Sequence, residues 1–159
     1  MGERALLLVD DAAEVTRDPM PPGMAAFDYV PHSRILPHAK AIVLAGGIGT
    51  TSQALRAGKP LVIVPFAHDQ FDNAARVERL GVGLVISRER YTAKRAATAL
   101  ERLLGTPSFA RKASDIGRRV QSEDGIAVAC DAIEQVLSRS SDRRVRSASP
   151  IHGSAREPI

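Results

Sequence analysis

Gly46, Gly47 and Gly49, followed at once by Thr50 and Thr51, are residue types at a spacing from which a phosphate cradle can be built. Glycine tolerates positive φ and lets backbone N–H groups approach a ligand without interference from a Cβ. Hydroxyl residues opening a helix sit where unpaired amide donors and the positive end of the helix dipole offer an anion site. Two well-known phosphate loops do not match. No Lys or Arg lies between Ala41 and Ala54, which excludes the G-x-x-x-x-G-K-[ST] pattern of nucleotide hydrolases. The dinucleotide pattern G-x-G-x-x-G begins well at Gly47 and Gly49. It then meets Ser52 where a glycine or alanine would let helix and strand pack closely. In its favour, Asp69 follows the next strand at about the distance of a ribose-binding acid. On the glycines alone, a plain strand-to-helix connection stays open.

A second group lies downstream. Leu61 to Phe66 is a short apolar, β-branched run, followed directly by His68, Asp69 and Gln70. Open α/β sheets bind ligands beyond the carboxyl ends of their strands. Both the glycine turn and the Asp69–Gln70 pair belong there, so they can converge on one ligand.

The elements that would carry these groups alternate along the chain. Apolar runs predict strands near residues 5–9, 26–30, 41–45, 61–65 and 82–86. Helices are expected from about Thr50 and Asp69. Thr92 precedes a helical face of Ala93, Ala96, Ala97, Leu100, Leu103 and Leu104. Thr106 and Pro107 read as an N-cap and an N1 proline, and Asp124 as the cap of a last helix with Ile126, Ala129, Ile133 and Val136 or Leu137 on one face. Alternating βα units predict an α/β fold, a Rossmann-like parallel sheet with helices on both faces. The terminal amphipathic helices are expected to cover that sheet.

The segments GGIGTTSQALRAGKP and PFAHDQFDNAARVERLGVG closely resemble the donor-binding half of nucleotide-sugar glycosyltransferases of the GT-B fold. The bacterial macrolide and natural-product enzymes and the sterol glucosyltransferases are the nearest types. The likeness runs from about Arg4 to Leu137. It implies that Gly46, Gly47, Gly49, Thr50 and Thr51 hold the donor diphosphate, and that Asp69 and Gln70 bind hydroxyls of the transferred sugar. It assigns Gln53, often a glutamate in the family, to the ribose. Tyr29, Val30 and His32, in a segment similar to the family's Trp-x-Pro-Gln, are assigned to the base. Tyr29 suits stacking on a base and equally suits a buried strand position.

Two departures stand out. The family carries a histidine immediately before the double glycine or one residue earlier, where this chain has Leu44 and Ala45. The lost donor is worth on the order of 1–3 kcal/mol to a charged leaving group. The second departure is length. A GT-B enzyme has two Rossmann-like domains, and 159 residues make one. Arg4 to Val9 resembles the family's second strand. Residues 1–138 are therefore expected to form a partial nucleotide-sugar-binding domain lacking its first strand and helix, and 139–159 a disordered basic tail.

The function implied is the donor-binding domain of a uridine or thymidine diphosphate-sugar-dependent hexosyltransferase acting on a small hydroxyl acceptor, inactive as an isolated chain. The alternative is a non-catalytic nucleotide-sugar-binding subunit that works with a separate acceptor-binding chain. No cofactor or metal is expected, since no pair of the four histidines has i,i+2 or i,i+4 spacing. A cytoplasmic location is expected, because Met1 to Pro22 does not read as a signal peptide and no run approaches the ~20 residues of a membrane span. The lone Cys130 is expected to be a buried thiol. The net charge of +4 does not suggest nucleic acid: five arginines after Ser138, against Asp142 and Glu157, account for most of it, and no aromatics are interleaved with them.

Overall fold

The computed structural model describes residues 2–147. It contains five short strands, all pairing in parallel, in two sheets. β1 (Ala5–Leu8) pairs with β2 (Met24–Phe27), Ala5 opposite Met24. β3 (Ile42–Leu44), β4 (Leu61–Ile63) and β5 (Gly83–Val85) form the second sheet, with Ile42 opposite Leu61 and Leu61 opposite Gly83. All five expected strands are present; β1, β3, β4 and β5 fall within their runs, whereas β2 starts at Met24, two residues ahead of the expected 26–30, and stops at Phe27. The break between β2 and β3 was not legible in the runs themselves.

Parallel strands need crossovers, and helices supply them. α1 (Ala12–Val15) joins β1 to β2, and α2 (His32–Ile35) with a 3₁₀ turn (Leu36–His38) leads to β3. α3 (Ile48–Arg56) links β3 to β4, and α4 (Gln70–Leu80) links β4 to β5. α5 (Ala93–Gly105) and α6 (Pro107–Ser122) then pack back, α5 against β4 and β5 and α6 against α3. Local chemistry sets several of the helix ends. The Thr92 hydroxyl accepts from the Arg95 N–H at 3.3 Å, and Pro107 opens α6 as expected. Gly81, at φ 68°, ends α4 with its N–H on the Glu78 carbonyl and the Val82 N–H on that of Val77.

The core is centred on β4. Leu61, Val62 and Ile63 are fully buried and Val64 nearly so. Successive strand residues face opposite sides, so burial of all four shows helices covering both faces. Each such side chain contributes about 1.5–3 kcal/mol by leaving water. Leu61 and Ile63 form one cluster with Leu36, Ile42, Ala54, Ala74, Val77, Val82 and Ala113, and Leu44, Leu55, Val85 and Ile116 pack on it. Where α6 crosses α3, a Cβ on Gly117 would lie 2.7 Å from the Gly58 Cα and 3.1 Å from the Leu55 carbonyl oxygen. Backbone cannot yield there as a side chain could. Gly117→Ala is expected to cost about 1–3 kcal/mol, read as a lower urea midpoint at unchanged slope.

Residues 2–122 and 123–147 belong to separate compact units. In the second unit Asp124 accepts the Ala127 N–H at 3.0 Å and so caps α7 (Gly125–Ser147) as expected. Ile126 and Ile133 on its apolar face are exposed. Cys130 is exposed too, against the expectation of a buried thiol. α7 continues past Ser138, where the tail was expected to begin, and residues 148–159 lie outside those described.

Candidate functional site

The three loops that follow β3, β4 and β5 all leave from the carboxyl ends of one parallel sheet, where α/β folds gather ligands. The first is the glycine turn. Gly46 has φ 96°, and a Cβ there would lie 2.8 Å from Ile63 Cγ2 and 3.2 Å from the Gln70 carbonyl oxygen. Only glycine satisfies both the dihedral and the clearance. Gly47 and Gly49 face open space. One glycine thus lets the turn settle against β4 and α4, and the other two leave its outer side bare.

Gly47 is the N-cap of α3 and has no side chain to cap with. The first intrahelical bond of that turn runs from the Thr51 N–H to the Gly47 carbonyl. The Gly49 and Thr50 N–H groups therefore lie among the donors a helix start leaves unpaired. The Ile48 N–H donates instead to Asp69 Oδ2 at 3.2 Å. Asp69, although it stands at the N-cap of α4, makes no cap bond there. Its carboxylate reaches across to the neighbouring helix start, where a negative charge is favourable.

Asn73 holds that carboxylate in place. Its Nδ2 donates to Asp69 Oδ2 at 2.8 Å and to the Gly46 carbonyl at 2.9 Å, and the residue is buried. One amide group therefore ties the glycine turn to the acid. Asn73 was missed in the sequence; its signal is the i,i+4 spacing from Asp69. Gln70 has a parallel duty, its Oε1 accepting from the Phe66 and Ala67 N–H groups at 2.7 and 3.1 Å. This leaves the Nε2 of Gln70 and the Oδ1 of Asp69 as the ends of that pair not engaged in these bonds. His68, in the loop after β4, is exposed and is the one non-glycine residue with positive φ (56°) among those described. The Arg88 guanidinium, after β5, lies 5.0 Å from the Phe66 ring centroid and joins the third loop to the second.

The other residues singled out divide. Thr50 is half-buried and Gln53 exposed on α3. Thr51 is 3% exposed, and its Oγ1 has no hydrogen-bond partner. It shares the inward face of α3 with Ala54, three residues on. Tyr29 is 78% exposed in the bend after β2, which removes the buried-strand reading and leaves the ring free. Val30 and His32 are half-buried beside it, at the start of α2, which packs on α3. Leu44 packs on the core cluster, as strand alternation requires, while Ala45 lies next to the turn. A cavity of about 750 Å³ lies elsewhere, between β5 and α5, lined by Ile86, Ser87, Arg90, Lys94 and Arg102 among others. The glycine turn is by contrast an open surface. Among the described residues, no group of three or more His, Cys, Asp or Glu side chains gathers, and no helix is long and apolar enough to cross a membrane.

Parallel strands, crossover helices and a glycine turn beyond the strand ends define a Rossmann-like domain of the type that forms the C-terminal half of GT-B glycosyltransferases. Residues 3–134 match the family described as erythromycin biosynthesis protein CIII-like, C-terminal domain, and the chain belongs to that family. It is 37% identical over 151 residues to a sterol 3-beta-glucosyltransferase of Neosartorya fischeri, covering 90% of this chain and 10% of that protein. It is 33% identical over 111 residues to the uncharacterized UDP-glucosyltransferase YojK of Bacillus subtilis, covering 70% and 27%. Among solved structures, glycosyltransferase VinC in complex with DTDP superposes with a TM-score of 0.80 at 29% identity, covering 87% of this chain and 35% of that one. The calicheamicin glycosyltransferase CalG4 gives 0.73 at 33%, covering 82% and 34%. The chain thus spans about a tenth of the length of the sterol glucosyltransferase and about a third of these two structures. The expected resemblance and fold class are borne out.

Proposed function

We propose that residues 2–122 bind the donor, a uridine or thymidine diphosphate sugar, for a glycosyltransferase that moves a hexose to a small-molecule hydroxyl. The observation that carries this reading is the Asp69 carboxylate at the α3 N-terminus, 3.2 Å from the Ile48 N–H. It places the acid assigned to sugar hydroxyls beside the N–H groups assigned to the diphosphate. A donor laid across this point would set phosphate oxygens on the Gly49 and Thr50 N–H groups and the Thr50 hydroxyl. Its sugar hydroxyls would meet Asp69 Oδ1 and Gln70 Nε2, with the base toward Tyr29, Val30 and His32 and the ribose toward Gln53.

Transfer would break the bond between the anomeric carbon and the diphosphate oxygen while the acceptor oxygen bonds to that carbon from the opposite side. The acceptor proton goes to a base on an acceptor-binding half, within the same polypeptide or on a separate chain. Charge growing on the diphosphate is met by N–H groups already pointing at it, which need no reorganisation. The reading assigns no step to a metal, and a cytoplasmic location belongs to it. Support comes from family membership and from the glucosyltransferase activities for which the relatives are named.

Titration calorimetry with uridine and thymidine diphosphate sugars and with NAD tests the assignment. A diphosphate sugar is expected to bind more tightly than NAD, and the reverse order overturns the reading. Residues 1–159 alone are expected to transfer no sugar, since positioned base catalysis, typically worth 10²–10⁴-fold, would come from elsewhere.

A further inference from the structure

The cavity of about 750 Å³ between β5 and α5 lies along a strand edge rather than over the glycine turn. β5 is the last strand of its sheet, with β4 as its one neighbour. The Leu61 N–H donates to the Val82 carbonyl and the Ile86 N–H to that of Ile63, so even-numbered residues of β5 address β4. Gly83 and Val85 turn their backbone N–H and C=O to the open edge. Leu84, Val85 and Ile86, all half-buried, line the cavity there.

The walls are charged. Arg90 follows β5, Lys94 and Arg95 stand in the first turn of α5, and Arg102 stands in its last turn. Glu78 of α4 is the one carboxylate in the lining. Among the described residues, the ion pairs join Lys40 to Glu3, Arg76 to Asp72 and Arg118 to Asp115. The four cations of the cavity are therefore paired with no carboxylate of the described chain, Glu78 included. Lys94 and Arg95 also meet the positive end of the α5 dipole, and no acidic residue stands in that turn to offset them. Proteins often place charges on an edge strand to keep other strands away. Here the strand itself, Gly83–Val85, carries none, and the charges stand on the walls beside it. Such a groove repels basic segments and leaves an apolar edge open to acidic ones.

We propose that this cavity receives an extended segment of another polypeptide, apolar along its length and acidic at one end, as a further strand on β5. Main-chain bonds to Gly83 and Val85 would give affinity, and Leu84 and Ile86 would meet its alternate side chains. Its acids would pair with Arg90, Lys94 and Arg95 beyond the carboxyl end of β5. At ~3.3 Å per residue, about four residues cover the strand and the start of the loop after it. A bilayer suits a protruding surface, whereas this apolar strip is sunk between charged walls. A lone phosphate would leave the strip unused. The inference does not rest on donor binding and is read without nucleotide.

The test is fluorescence anisotropy of the full chain with a labelled peptide of about five alternating valines and threonines, carrying aspartates at one end and made in both polarities. One polarity is expected to bind, and the same peptide with lysines for aspartates is not. Lys94→Glu with Arg95→Glu should weaken binding about tenfold or more, since each reversal turns an attraction into a repulsion. Lys94→Gln with Arg95→Gln should weaken it by a smaller factor. All four changes are at exposed positions, and acids suit a helix start, so the melting temperature should not fall. Hydrogen exchange with bound peptide should slow at the Val85 amide and change little at that of Leu84, which faces β4. Binding by neither polarity, equal binding by the lysine peptide or by the Glu variant, or an unchanged Val85 amide overturns the proposal. So does displacement of the peptide by dodecanoate or by phosphatidylserine vesicles at matched charge, which would assign the cavity to an amphiphile or a lipid surface.

Discussion

Gly46→Ala is expected to lower the unfolding free energy by about 2–4 kcal/mol, combining the cost of a side chain at positive φ with that of overpacking. The added Cβ would meet Ile63 Cγ2 at 2.8 Å and the Gln70 backbone at 3.2 Å. Ile63 is fully buried in the central strand, and the Gln70 carbonyl belongs to the first turn of α4, so neither has room to retreat. Urea titration measures the loss. Gly49→Ala is the informative contrast, since nothing lies within 4 Å of its Cβ. Inside α3 the alanine should stabilise by about 0.5–1 kcal/mol, while its methyl intrudes on the bare side of the turn. Greater stability with weaker diphosphate binding would separate the fold's use of these glycines from the ligand's. A Gly46→Ala protein as stable as the parent would mean that the turn does not sit against Ile63.

Asn73→Leu carries the second large effect. It removes the donor to the buried Gly46 carbonyl and to Asp69 Oδ2 while keeping a side chain branched at Cγ, though a bulkier one. An unsatisfied buried carbonyl costs about 1–3 kcal/mol, and the Asp69 carboxylate would lose the bond that aims it at α3. The melting temperature should fall, and affinity for a diphosphate sugar should fall more than affinity for the free nucleoside diphosphate, because Asp69 is assigned to the sugar. Equal losses for both ligands would place Asn73 in the turn's stability alone.

Much of this architecture is written locally. Five apolar runs gave five strands, and the aliphatic run of β4 buries completely in its parallel sheet. Thr92, Pro107 and Asp124 marked helix starts because each acts within one turn of its own position. The glycine turn and Asp69–Gln70 were legible as parts of one site because both follow strands of the same sheet. The family likeness was equally legible, carried by two motifs at matching separation.

Tertiary structure decided the rest. Asp69 stands at the start of its own helix, yet it bonds the start of α3, because packing of α4 beside the β3 loop brings the Ile48 N–H within reach. Asn73 gains its role for the same reason, since its two partners lie 27 and 4 residues away. Thr51 and Thr50 are neighbours of one chemical type, but the helical turn sends Thr51 inward beside Ala54. The exposure of Tyr29 came from where β2 stops, at Phe27. The division into two sheets depends on which strand edges meet, and a strand's own residues do not encode its neighbour. Sequence determined the elements and the chemistry offered, since these depend on residues within a few positions of each other. Their partners across space were set by crossover packing over tens of residues.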